Sequence, residues 1–375
     1  MANPAAASLT DDLIVEILSR LPVKSLCRCK CVSPHWRGLI SHPDHRHRLP
    51  QTLAGFFLNA SNRGRQARRF INLSEASRPP LIRYPFSFMP GYEDVTIVDS
   101  CNGLLLCRAS RTESSSPDAV FCHVVCNPAT RSWHVLPNSS SGCVDNNNEL
   151  RPARLGFDPA VSPNFHVFEF VHSEQGYGCV AGVEIYSSET GAWSYSESEW
   201  EEETHLLEGS PSVFFDGLLH FITIDFTVVA VNVKGESWWE KAVPEDSYDL
   251  QNWDFCEAWE PCFIGRYKGN LCYINEFYSD TDVSIWVLED YAADEWILKH
   301  RVSIQRLTKN IATPAESKCY NFITVHPHCN WFLYVTGSDK ILMAYDMDRD
   351  EVHVIQNLGL DCILQCIPYV PFYGN

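Results

Sequence analysis

Residues 9–48 read LTDDLIVEILSRLPVKSLCRCKCVSPHWRGLISHPDHRHR. Thr10 is a good N-cap, and Asp11 and Asp12 put negative charge in a first turn, where the helix dipole favours it. Leu13, Ile14, Ile17, Leu18 and Leu21 then recur at helical spacing and predict one apolar stripe. Pro22 stops that helix and opens a second over about 23–32, because proline is tolerated in a first turn but not inside. Ser33 followed by Pro34 starts a third helix carrying Trp36, Leu39 and Ile40. A three-helix unit this small buries too little surface to be secure alone. It nevertheless shows large apolar side chains in succession. About five of them, buried on a partner at roughly 1.5–3 kcal/mol each, give on the order of 10 kcal/mol before the costs of association. The stretch is predicted to be a docking module whose core is finished by another protein.

Outward from this stretch the texture changes. From Leu53 the helical periodicity stops, and short runs rich in Val, Ile, Phe, Tyr and Trp alternate with Gly, Asn, Asp and Pro. That is an all-β pattern. A loose repeat can be traced: an apolar strand beside a turn glycine, a second strand, a polar turn, then a Trp or other apolar residue opening a last strand. Copies run through 100–133, 155–193, 215–238, 267–296 and 331–355. A recurrence of about 45–60 residues is the period of four-stranded propeller blades, which must stack in a ring to bury both faces. Strand-like pieces are left over at 55–59, 70–73 and 363–373. Shared in one closing blade, they join the ends of the ring and bring the count to about six blades, with seven as the alternative. The fold class expected is therefore multi-domain α and β. A disordered N-terminus covers 1–8, the three-helix module 9–48 and an all-β propeller 49–375.

Composition narrows the partners. Lys and Arg number 29 against 47 Asp and Glu, a formal net charge of -18. This disfavours a general nucleic-acid or anionic-membrane binder. Arg63, Arg65, Arg68 and Arg69 make a local basic patch, read as a solvated loop. The start of the chain lacks a basic segment with an apolar run, and no stretch is long and apolar enough to span a bilayer. The 16 cysteines are accordingly expected to be reduced thiols in the cytoplasm, the nucleus or both.

No set of residues carries chemistry above background. Cys27, Cys29 and Cys31 alternate along a helix, whereas zinc sites usually begin with two cysteines separated by about two to four intervening residues, followed by a second such pair. His42, His45 and His47 read as linker residues, and His326, His328 and Cys329 as a strand turn. Cys362 and Cys366 lie close, but a reducing compartment argues against a disulfide. No nucleophile elbow, phosphate-cradling loop or HExxH helix is present. The expectation is a non-catalytic chain with no cofactor and no metal. Two acidic stretches contain aromatics. SESEWEEE at 196–203 is read as a solvated loop, or alternatively as a receiver for a basic partner through an exposed aromatic. Asp246, Asp249, Asp254, Glu257 and Glu260 are interleaved with Tyr248, Trp253, Phe255 and Trp259, whose rings are expected to pack in the core.

The order Leu9, Asp11, Asp12, Leu13-Ile14-x-x-Ile17-Leu18-x-x-Leu21-Pro22, Leu26, Val32-Ser33 and Trp36-Arg37 resembles an F-box. Thr10 stands where that family often has proline. The stretches SCNGLLLC, VVCNPATRSW, LGFDP, FFDGLLHF and IWVLEDYAADEW resemble the kelch-like, F-box-associated repeats of plant F-box proteins, without the double glycine of true kelch repeats. The resemblance implies that the F-box binds the SKP-family adaptor of an SCF-type cullin–RING ubiquitin ligase. Leu9, Ile14, Ile17, Leu18, Leu21, Pro22, Leu26, Val32 and Trp36 then lie at or under that contact, or form the core of a small domain, or both. It implies that the propeller recruits an unidentified protein target for ubiquitination. The alternatives are an F-box scaffold or transcriptional regulator outside the ligase, and an enzyme built on the propeller. The last needs convergent ligands or carboxylates at the ring axis.

Overall fold

The structure is a computed structural model. It describes residues 9–21, 25, 26, 29, 32–41, 45, 53–62, 65–73, 82, 86–111, 121–139, 151–173, 179–200, 204–206, 211–223, 227–244, 263–276, 282–291, 295–308, 320–326, 330–337, 340–359 and 362–372. Helix α1 (Asp11–Ser19) and helix α2 (Pro34–Ser41) come first. Between them Ser25, Leu26 and Cys29 are helical, and the rest of the expected second helix lies outside the described residues, apart from Val32, which sits in a turn. Thr10 occupies the N-cap of α1 in extended conformation, but its side chain makes no capping hydrogen bond, contrary to expectation. At α2 the expected cap does form: the Trp36 N–H donates to Ser33 Oγ at 3.1 Å.

Strands β1 (Gly55–Asn62) and β2 (Arg65–Asn72) follow. The first four-stranded sheet comprises β3 (Tyr92–Cys101), β4 (Leu104–Arg111), β5 (Phe121–Asn127) and β6 (Ser132–Val135). The second has β7 (Ala153–Phe157), β8 (Phe165–His172), β9 (Val180–Ser187) and β10 (Ala192–Glu197). The third has β11 (Val213–Phe215), β12 (Leu218–Ile222), β13 (Thr227–Asn232) and β14 (Trp238–Ala242). The fourth has β15 (Phe263–Tyr267), β16 (Asn270–Glu276), β17 (Asp282–Leu288) and β18 (Ile297–Ser303), followed by a single turn of helix, α3 (Ile304–Leu307). The fifth has β19 (Tyr320–Val325), β20 (Trp331–Thr336), β21 (Ile341–Asp346) and β22 (Glu351–Asn357). Strand β23 (Cys362–Tyr369) returns to pair with β1, giving a sixth sheet in the order β2, β1, β23.

The first strands of the sheets touch in the cycle β3, β7, β11, β15, β19, β23 and back to β3. The sheets are therefore blades of a closed six-bladed propeller, joined by a blade that takes strands from both ends, as the leftover pieces suggest. Apolar seams fill the gaps between blades. Leu105 and Cys107 face the closing blade through Phe57 and Tyr369, while Leu104 and Leu106 face Leu155 and Val167 of the second blade. Both faces of β4 are buried over Leu104–Cys107, so this first half of the strand is a continuous apolar run and not an alternation.

Turn chemistry repeats with the blades. Asn102 and Gly103, Asp216 and Gly217, and Lys268 and Gly269 all have positive φ and close hairpins between the first two strands of a blade. These are type I′ turns, whose twist matches the paired strands. In the outer hairpins Asn127, Asn232 and Asp346 each accept the N–H two residues on at 3.0 Å, and a left-handed residue follows: Arg131, Gly235 or Asp350. Two of the recurring tryptophans join blades through their indole N–H. Trp193 Nε1 donates to the Pro137 carbonyl at 2.8 Å, and Trp296 Nε1 to the Ala242 carbonyl at 3.0 Å.

The chain after β23 crosses the hairpin face of the ring. Asn127 Nδ2 donates to the Phe372 carbonyl at 2.8 Å, the Ala129 N–H donates to Tyr369 Oη at 3.1 Å, and the Phe372 ring meets Phe157 edge-on at 5.2 Å. Gly55 pairs with Tyr369, so β1 starts on that same face. The chain thus enters the propeller at its hairpin face.

Candidate functional site

The single stripe expected on α1 divides in two. Ile14, Val15 and Leu18 are buried against Leu26, Leu39 and Ile40 in a small core, with Leu21, Cys29 and Trp36 packed at its edge. Leu9, Leu13 and Ile17, spaced at i, i+4 and i+8, point outward with 52, 51 and 47% exposure, and Val32 joins them at 63%. Of the residues named from the sequence, Leu9, Ile17 and Val32 are therefore on the surface. Ile14, Leu18 and Leu26 are inside, Leu21 and Trp36 are partly buried, and Pro22 lies outside the described residues. Leu13 is as exposed as its neighbours and belongs with them. Large apolar side chains are thus exposed in a row over a core already filled from beneath. His35 Nε2 and Asp11 Oδ1, 2.9 Å apart, tie the starts of the two helices beside it.

Other expected features fall elsewhere. Trp200 is buried, stacked on Phe170 at 6.4 Å and edge-on to Trp238 at 4.5 Å. The acidic run around it thus offers no exposed indole, which removes the anchoring aromatic from that alternative. The second acidic stretch, 246–260, lies outside the described residues, as do Cys27, Cys31, His42, His47, His328 and Cys329. Among the described residues no group of three or more His, Cys, Asp or Glu has metal-binding geometry, and no helix is long and apolar enough to cross a membrane.

A charged network that sequence reasoning passed over lies between the first two blades. Arg108 Nε stands 3.2 Å from His123 Nε2, and His123 Nδ1 is 3.4 Å from Glu169 Oε1. Arg108 also donates to the Arg151 carbonyl. Glu169 and Glu184 are cross-strand partners, and both are buried. The signal was a charge set in an apolar strand, as in VFEFV and VEIY. Burial, with Arg108 beside it, lowers the His123 pKa to about 3. Burial likewise raises Glu169, reinforced by Glu184 and opposed by Ser139, Arg151 and Arg108.

His220 is a second buried imidazole, its pKa lowered to about 4 by burial. Its Nδ1 faces the Val213 carbonyl at 3.2 Å, which can only accept, so Nε2 accepts from Tyr291 Oη at 2.6 Å. Both histidines are neutral in the fold and become protonated in the unfolded chain below about pH 6.5. The unfolded state then binds more protons, so each histidine costs about 1.4 kcal/mol of stability per pH unit as pH falls from there. Asp99, raised to about 6 by burial, works in the opposite direction, as does Glu169. The clean measurement is a difference. Denaturant unfolding between pH 7 and 5 is expected to show a pH slope for His220→Gln that is shallower than wild type by about one proton.

A helical docking module with an apolar ridge, leading into a six-bladed propeller, is the architecture of an F-box protein. Family profiles agree: residues 7–48 match the F-box domain and residues 59–360 the F-box associated beta propeller domain. The chain belongs to that family. The Arabidopsis thaliana F-box protein At5g07610 is 26% identical over 314 residues, covering 79% of this chain and 71% of its own. F-box protein At5g49610 from the same plant is 25% identical, covering 87% and 88%. F-box protein CPR1, also from Arabidopsis thaliana, is 30% identical, covering 77% and 72%. Among solved structures, a chain of the mitotic checkpoint complex aligns at TM-score 0.37 with 12% identity, over 70% of this chain and 67% of its own.

Proposed function

We propose that this protein is a substrate receptor of an SCF-type cullin–RING ubiquitin ligase, working in the cytoplasm, the nucleus or both. The F-box docks on a SKP-family adaptor through Leu9, Leu13, Ile17 and Val32. The propeller holds a protein target within reach of the ubiquitin-conjugating enzyme. The chain contributes position and not bond chemistry: a tethered target is presented at high effective concentration. The observation that carries this reading is the exposed row on α1 above a filled core. Because the chain enters the propeller at the hairpin face, we assign target binding to the opposite face.

Co-expression with a SKP-family adaptor and cullin is expected to yield a stable complex. Proteins captured by the full chain are expected to accumulate when the proteasome is inhibited. Adaptor co-purification with no change in any captured protein would favour a scaffold role instead.

A further inference from the structure

We infer that the charged network between the first two blades encloses ordered water, which joins the Arg151 guanidinium to the Glu169 carboxylate. Arg151 and Glu169 are both more than nine-tenths buried. Arg151 Nε and Nη1 donate to no protein atom, and the Glu169 oxygens have only the Ser139 hydroxyl and His123 Nδ1 nearby, neither in close hydrogen-bond geometry. Buried polar groups left this way are rare in folded proteins and mark a bound molecule. Its chemistry follows from the groups it must satisfy. It accepts from the guanidinium and donates to the carboxylate, which water does and a simple anion or cation does not.

Charge decides the same way. Among the described residues, two guanidinium groups, Arg108 and Arg151, face two carboxylates, Glu169 and Glu184, with His123 neutral between them. The network is already balanced, so a bound ion of either sign would unbalance it in a medium of low polarity. Blades meet elsewhere mainly through apolar seams with isolated polar contacts, such as His220–Tyr291 between the third and fourth. This hydrated, balanced joint therefore gives the first seam a match of its own.

A high-resolution crystal structure of the full chain tests the inference. The expected result is a water within hydrogen-bond distance of both Arg151 and Glu169. Direct contact between the two side chains, or an ion in their place, overturns it. Charge balance has an independent readout in Glu169→Gln, Arg151→Gln and the double variant. Each single change is expected to lower the melting temperature, and the double to recover part of the loss. Losses that simply add would refute the balance.

Discussion

Ile17→Asp is expected to abolish capture of a SKP-family adaptor while leaving the chain folded. Ile17 is about half exposed, so the fold gains little from it. In the proposed complex its side chain would enter an apolar contact, where a carboxylate is desolvated without a partner. A loss of at least about 100-fold, roughly 3 kcal/mol, is the expected scale. Leu13→Asp, one turn earlier on the same face, should behave alike. Leu18→Asp also abolishes capture, but for another reason: Leu18 is fully buried, and a charge there unfolds the module. Circular dichroism on the purified variants separates the two. Folded Ile17→Asp and Leu13→Asp chains that still bind the adaptor at wild-type affinity would remove the basis for the ligase assignment.

Gly103→Ala is expected to destabilise the propeller by about 3 kcal/mol or more, well beyond the same change at Gly217 or Gly269. All three glycines hold the second position of equivalent turns, with φ of 93, 77 and 87°. Each alanine bears the backbone cost of that region, on the order of 1 kcal/mol. At Gly217 and Gly269 a methyl group meets nothing. At Gly103 it would stand 2.5 Å from the Phe372 nitrogen and 2.7 Å from the Val370 oxygen. The chain after β23 must move, and the contacts of Phe372 with Asn127 and Phe157 go with it. Denaturant unfolding of the three variants, with limited proteolysis of the C-terminal segment, gives the comparison. Equal losses at all three positions would show that the crossing segment contributes nothing.

The architecture could be read ahead of the structure because its signals are local. Glycine turns such as Asn102-Gly103 and Asp216-Gly217 announce hairpins, and tryptophans such as Trp193 and Trp296 recur because each ties its blade to the one before. The inner strands were harder. Most of β3 went unread, because YEDVTIVDSC carries acids and two register shifts that break any alternation. β19 was missed altogether; it is short and itself interrupted between Phe322 and Thr324. At the candidate site the residues were legible but their sides were not. Ile14 and Ile17 are chemically alike and nearly adjacent, yet one is core and one is surface. Only the position of α2 decides which face of α1 is covered. The Arg108–Glu169 network required knowing that blades one and two are neighbours, which no window of sequence reports.

The closing blade sets the order in which the molecule can be made. A ribosome delivers the F-box and five complete blades before it releases β23, the strand against which β1 must lie. Throughout that interval the nascent ring is a gapped horseshoe with unpaired backbone at its mouth, the kind of edge that recruits other strands. A premature stop codon just upstream of residue 362 therefore removes almost none of the mass of the propeller and yet leaves it permanently open.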